Sequence, residues 1–272
     1  MIEPSRHPHP TLMPAPFLRP RSATELVDAA FQVLRAHYGQ LVVCSAIAYV
    51  PMLLLRLFVI GDTTRYFGGD PAVAESGIFL TTAWTMLGSL VTYSLMSAVL
   101  VVLTSQAYLG EAVDVGSAVR RVIPRVVQVL VASVIRSVLF IIGFIFLFVP
   151  GFWVLARYFA VVPAIVLEDD GTLHSFSRSA ELSRSRKWHI LGTLILVTII
   201  YYLLVAGVSL IGALFGNFVV QTTVSSVAAI LVYPVVAITE ALLYYDARIR
   251  SEGLDIELMT DALDAPSGLS AL

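Results

Sequence analysis

The sequence predicts an all-α membrane protein, a polytopic bundle of six transmembrane helices with short cytoplasmic interfacial helices and both termini in the cytoplasm. Three observations carry that reading. Of the 272 residues 58% are apolar and only 13% charged, whereas soluble domains carry about 25% charged residues. The apolar residues are gathered into separate runs long enough to cross the hydrocarbon layer, which takes about 20 residues per helix. The cationic residues fall between alternate runs, the pattern of the positive-inside rule.

Taken in order, residues 1–20 hold Pro4, Pro8, Pro10, Pro14, Pro16 and Pro20 and lack the apolar core of a signal peptide. They read as a disordered, Pro-rich cytoplasmic arm. Ser22 and Glu25 then have capping-box spacing, and Leu26, Ala29, Ala30, Val33 and Leu34 follow one helical face. Such a helix either lies along the membrane surface or docks against the bundle. The first two spans are expected at 41–60 and 78–103, and the third at 126–149.

The fourth, 152–167, is short: sixteen residues reach about 24 Å at 1.5 Å per residue, and Arg157 and Pro163 interrupt it. Charge parity keeps it. Of 17 basic residues, 13 fall on one side when six crossings are counted: Arg6, Arg19, Arg21, Arg35, Arg120, Arg121, Arg125, Arg178, Arg184, Arg186, Lys187, Arg248 and Arg250. Arg65 falls in an opposite-side connection. Without the fourth crossing, the six basic residues that follow it would move outside. From 190 to 239 there is no charged residue, too long a run for one crossing, and Gly216-Asn217 is the natural turn between spans at 190–215 and 219–245. Residues 253–272 carry Asp255, Glu257, Asp261 and Asp264 without a lysine or arginine and read as an acidic cytoplasmic tail. Short polar, basic segments at 22–38, 115–125 and 172–187 each precede an odd-numbered span, so the membrane domain, 21–252, reads as three interfacial helices each leading into a transmembrane hairpin.

Charges inside the membrane are the sharpest functional lead, since each costs about 2.5–3.5 kcal/mol at a helix centre. Four residues qualify: Arg56, Arg136, Arg157 and Glu240. Arg136 and Glu240 have opposite charge and similar depth, which predicts a buried pair tying the third span to the sixth. Arg56 and Arg157 fall toward the outer face, where a long side chain snorkels or meets an anionic lipid or substrate group. Trp84 and Trp153 are expected near outer ends, and Tyr108, Trp188, Tyr244 and Tyr245 near inner ones. The deeper Tyr93, Tyr201, Tyr202 and Tyr233 need hydroxyl partners, which helix-to-helix hydrogen bonds supply.

Pro51, Pro163 and Pro234 fall within spans, but without paired breaks in two matching halves they are weak evidence for a transporter. Gly212 and Gly216 form one GxxxG, a close-approach motif. His7, His9, His37, His174 and His189 have no metal-ligand spacing, and no GxSxG or GxxxxGK[ST] occurs. Catalytic, cofactor-binding and metal residues are therefore none in this reading, and no cofactor is implied. Glu168, Asp169, Asp170 and Gly171 read as a turn and helix start. Cys44 has no second thiol and reads as packing. A net charge of -2, with aromatics inside apolar runs, excludes a basic nucleic-acid surface.

Several segments together carry a resemblance. They are Arg19-Pro20-Arg21-Ser22 with Glu25, Leu26, Asp28, Ala29 and Phe31; Pro150-Gly151 with Arg157, Pro163 and Glu168; Arg178-Ser179 with Leu182; and the closing run from Leu243 through Tyr244, Tyr245, Asp246, Arg248, Arg250, Glu252 and Gly253 to Asp255. Over roughly 19–258 the chain resembles the membrane-domain family named after glycerophosphoryl diester phosphodiesterases and the similar YciC-like bacterial inner-membrane proteins. In that family a catalytic barrel can follow the membrane domain, and the chain has no room for one after its last motif. The resemblance thus implies a bacterial inner-membrane location and no phosphodiesterase activity. The expected protein is a non-catalytic membrane module that scaffolds or regulates a partner, with transport or binding of a lipid or small anion as the alternative. Its partners are the lipid bilayer and a membrane protein or second copy of the chain, and not nucleic acid.

Overall fold

The structure, a computed structural model, describes residues 21–66, 71–147 and 149–252. The arm expected over 1–20 and the tail expected over 253–272 lie outside the described residues. Every element among the described residues is helical: α1 (Ala23–Ala36), α2 (Tyr38–Tyr66), α3 (Pro71–Tyr108), α4 (Val115–Val122), α5 (Val126–Leu147), α6 (Val149–Arg157), α7 (Val161–Leu167), α8 (Thr172–Leu182), α9 (Lys187–Ala213) and α10 (Phe218–Glu252), with a 3-10 turn, Ile123–Arg125, between α4 and α5. Six segments are long and apolar enough to cross a membrane: α2, α3, α5 with α4 before it, α6 with α7, α9 and α10. The chain is a multi-pass membrane protein.

The three short helices before the odd-numbered spans are α1, α4 and α8. Ser22 starts α1 with a capping box: its Oγ accepts from the Glu25 N–H at 3.3 Å, and a Glu25 carboxylate oxygen accepts from the Ser22 N–H at 2.8 Å. Leu26, Val27, Ala29, Ala30 and Leu34 are buried against α9 and α10, so α1 docks on the bundle. Asp114 caps α4 by accepting from the N–H groups of Gly116 and Ser117 at 3.1 and 2.8 Å. Gln106 of α3 holds that cap, donating to Ser117 Oγ at 2.8 Å and accepting from the Asp114 N–H at 3.1 Å.

Helix α10 is the centre of the bundle. Its span is 72% buried, against 6% for α9, and it packs on α1, α2, α3 and α9. Its 35 residues extend about 52 Å, longer than the hydrocarbon layer, so its last turns stand beyond it among the short helices. The turn before it is the one expected: Gly216 has a φ of 62°, a conformation glycine adopts without strain, and Asn217 Oδ1 accepts from the Val219 and Val220 N–H groups. Gly212 lets α9 approach closely, since a Cβ there would sit 3.0 Å from Val224 Cβ.

The fourth span, expected over 152–167 with Arg157 and Pro163 interrupting it, covers Val149–Leu167. It is two helices, α6 and α7, broken at 158–160. Pro163 explains the break, because in a continuous helix its ring would meet the carbonyl of residue 159 and it has no N–H to donate. The freed backbone groups are taken by α8: Ser179 Oγ accepts from the Ala160 N–H at 3.0 Å and donates to the Arg157 carbonyl at 3.0 Å, and Ser183 Oγ donates to that same carbonyl at 3.3 Å. This is how irregular backbone persists in a membrane protein, buried in protein and hydrogen-bonded by side chains.

Helix α6 folds back tightly on α5. A Cβ on Gly143 would lie 2.9 Å from the Gly151 nitrogen, and one on Gly151 would lie 3.0 Å from the Phe144 nitrogen. Backbone atoms cannot give way as side-chain tips do. Gly143→Ala and Gly151→Ala should each lower unfolding free energy in detergent by about 1–3 kcal/mol. Gly207→Ala in α9, where a Cβ meets nothing within 4 Å, should leave it unchanged or slightly raised. Equal thermal midpoints for the three variants would show that the hairpin is looser than described.

Candidate functional site

The structure brings Arg136 and Glu240 together: Arg136 Nη1 on α5 lies 3.3 Å from Glu240 Oε1 on α10. Ser97 Oγ of α3 donates to the other carboxylate oxygen at 3.2 Å. Three spans therefore meet at one carboxylate. A charged pair in low dielectric stabilises only when its remaining lone pairs are bonded, and Ser97 supplies that bond.

Arg56 does not reach outward as expected. Helical side chains lean toward their own N-terminus, and Arg56 Nη1 donates back along α2 to Tyr49 OH at 3.4 Å. Tyr49 in turn meets Tyr93 edge-on, with ring centroids 5.9 Å apart. Tyr93 packs on Tyr233 at 4.9 Å, and its hydroxyl lies 3.5 Å from that of Tyr201. Tyr233 OH donates to the Tyr93 carbonyl at 3.3 Å. The deep tyrosines thus join α2, α3, α9 and α10 by the helix-to-helix hydrogen bonding expected of them, while Tyr202 remains exposed beside Tyr201.

Arg157 and Trp153 are corrected more sharply. Both are expected near the outer end, yet both lie beside α8 and the start of α9, at the end where the basic segments gather. Arg157 Cζ is 4.9 Å from the Trp153 ring centroid and 5.7 Å from that of Tyr158, and Lys187 Nζ is 4.5 Å from Trp153. The turn at 168–171 is the reason, since it sends α8 back along α7 and brings Ser179 and Ser183 to the Arg157 carbonyl.

The basic end holds two networks whose partners are far apart in sequence. Glu168, just after α7, accepts from Arg178 Nε at 2.7 Å and Nη2 at 2.9 Å and from Tyr244 OH, and Arg248 Nε stands 3.6 Å away. Glu252 pairs with Arg178 and accepts from Arg248 Nε at 3.0 Å. Burial alone would push the Glu168 carboxyl up, but the bonds from Arg178 and Tyr244 and the nearby Arg178 and Arg248 charges outweigh it and hold it below the usual glutamate range. Arg178 is correspondingly raised by its bonds to Glu168 and Glu252.

In the second network Asp246 accepts from the Arg21 N–H at 2.8 Å and from Arg250 Nε at 2.7 Å, and Arg250 Nη2 donates to the Arg21 carbonyl at 2.6 Å. His189 Nε2 lies 3.6 Å from Asp246 Oδ2. Arg121 of α4 donates to the Val166 and Leu167 carbonyls at 2.9 and 3.0 Å, closing the C-terminal end of α7. Asp169, with a φ of 61°, and Gly171 make the expected turn into α8, and Asp169 pairs with Arg125. Of the residues in the segments that carry the resemblance, Arg21, Glu168, Arg178, Tyr244, Asp246, Arg248, Arg250 and Glu252 enter these networks, joined by His189. Their spacing gave no sign of which partner each would meet.

Compared with known proteins, the chain matches no family model, no curated protein and no solved structure.

Glu240→Gln removes the anion and leaves Arg136 charged among apolar neighbours. It should lower the thermal midpoint in detergent, by about 1–3 kcal/mol in unfolding free energy, and Arg136→Gln added to it should recover part of the loss. An unchanged midpoint for Glu240→Gln would remove the pair from the account.

Proposed function

We propose that the protein is a non-catalytic module of a bacterial cytoplasmic membrane, with both termini in the cytoplasm, that scaffolds or regulates a partner through its basic end. The resemblance to the membrane-domain family points to the location, and the gathering of the basic segments at the end that carries α1, α4 and α8 fits the positive-inside rule. One observation carries the scaffold reading. At that end the charged residues Glu168, Arg178, Asp246, Arg248, Arg250 and Glu252 are spent on one another, while Leu173 of α8 and Ile123 before α5 are 79% and 61% exposed. Ion pairs rigidify the platform, and apolar side chains project from it as contact points.

The second reading, binding of a lipid or small anion, is favoured by Arg157, whose charge sits against aromatic rings. Arg136 and Arg56 support it less, because Glu240 and Tyr49 already engage them.

Photo-crosslinking residues placed at Leu173 and Ile123, in cells, should each trap one discrete protein, identical for both sites, whereas Trp84 and Met86 on α3 should trap none. Absence of a shared adduct would count against the scaffold. Loss of anion binding in Arg157→Gln, with folding intact, would support the second reading.

A further inference from the structure

Between α6 and the first turns of α9 runs an open groove of about 390 Å³, within the range of ordinary ligand sites, about 300–1,000 Å³. Val149, Leu191 and Ile195 make it apolar, and Trp153, Lys187 and Trp188 line it where α9 begins. Since α9 is the least buried of the six spans, the groove opens on the side that faces lipid. A second hollow, of about 370 Å³, is lined by Arg157, which follows Ala156 of the groove, and by Ser177, Glu181 and Arg184.

The cations here differ from five others at this end. Arg121 is bonded to carbonyls, and Arg125, Arg178, Arg248 and Arg250 are paired with carboxylates. Among the described residues no carboxylate lies within ion-pair distance of Arg157, Arg184 or Lys187, although Glu181 shares the hollow. Arg157 and Lys187 also sit on the same indole, at 4.9 and 4.5 Å from its centroid. Two like charges beside one ring repel, and an anion close to both offsets that repulsion. The first turn of α9 adds backbone N–H groups at the same place, because Arg186 provides no side-chain cap.

We propose that this site binds one anionic phospholipid. An acyl chain lies along Val149, Leu191 and Ile195, and the phosphate is held by Lys187, Arg157 and Arg184, with Trp188, 83% exposed, at the headgroup level. Basic pockets at the ends of transmembrane helices recognise anionic headgroups in this way, each cation adding about fivefold in affinity. The inference rests on the membrane reading and deepens the second functional reading, lipid binding at Arg157; the crosslinking at Leu173 and Ile123 tests the scaffold separately.

The test uses the full chain carrying Trp84→Phe, so that Trp153 and Trp188 are the remaining tryptophans. It is reconstituted in phosphatidylcholine vesicles containing a minor fraction of brominated phosphatidylglycerol or brominated phosphatidylcholine, and quenching of tryptophan fluorescence is measured. Brominated phosphatidylglycerol should quench at an at least fivefold lower mole fraction. The variant Arg157→Gln, Arg184→Gln, Lys187→Gln should lose that preference while keeping quenching by the neutral lipid, and the exposed-end single variant Lys187→Gln should lose about fivefold if the triple variant does not fold. Equal quenching by the two lipids overturns the proposal, as does a preference unchanged in these variants. Abolition of the preference by inorganic phosphate also overturns it, since the site would then read free phosphate.

Discussion

The structure depends on carboxylates placed along the last helix. A charge in or near hydrocarbon must be paired inside the protein or carried to water. Glu240, Asp246 and Glu252 answer that constraint for the whole bundle, each at a different height of α10. Glu240 gathers α3 and α5 through Ser97 and Arg136. Asp246 gathers the chain before α1 and the start of α9 through Arg21 and His189. Glu252 gathers α8 through Arg178, and Arg178 passes the connection to Glu168 after α7. Burial of 72% of the α10 span is the apolar counterpart of this arrangement.

The broken fourth span follows from the same economy of polar groups. A proline at residue 163 interrupts the helix, and two serines of α8 take up what the interruption frees. The consequence reaches further than the repair, because α8, held against the break, leads into α9 beside it and sets the Lys187 charge near that of Arg157 on Trp153. A local backbone defect thereby creates an unneutralised cationic site next to an apolar groove. The α10 carboxylates, by contrast, neutralise nearly everything they touch.

Much of the fold was legible because bilayer thickness turns composition into geometry. The spans at 41–60, 78–103, 190–215 and 219–245 needed only apolar length and the Gly216-Asn217 turn, and the Ser22–Glu25 spacing was enough to start α1. The depth of Arg136 and Glu240 was legible from residue counting along straight helices. Counting failed for Arg157 and Trp153 because it does not show α8 running back along α7 and bringing the start of α9 to them. It could not reveal the Glu168 network either, since Tyr244 is 76 residues from its acceptor and only packing sets that distance. The direction of Arg56 is set by a tyrosine seven residues back on the same helix, a partner that depth in the membrane does not reveal.

The central claim is that the α10 carboxylates are junctions between helices and not merely local ion pairs. Hydrogen–deuterium exchange of Asp246→Ala tests it most directly, because Asp246 holds Arg21, Arg250 and the neighbourhood of His189 at once. The account predicts faster exchange in three separated places, the first turn of α1, the first turn of α9 and the end of α10, with the deep part of the bundle unchanged. Faster exchange confined to the last turns of α10 would contradict it.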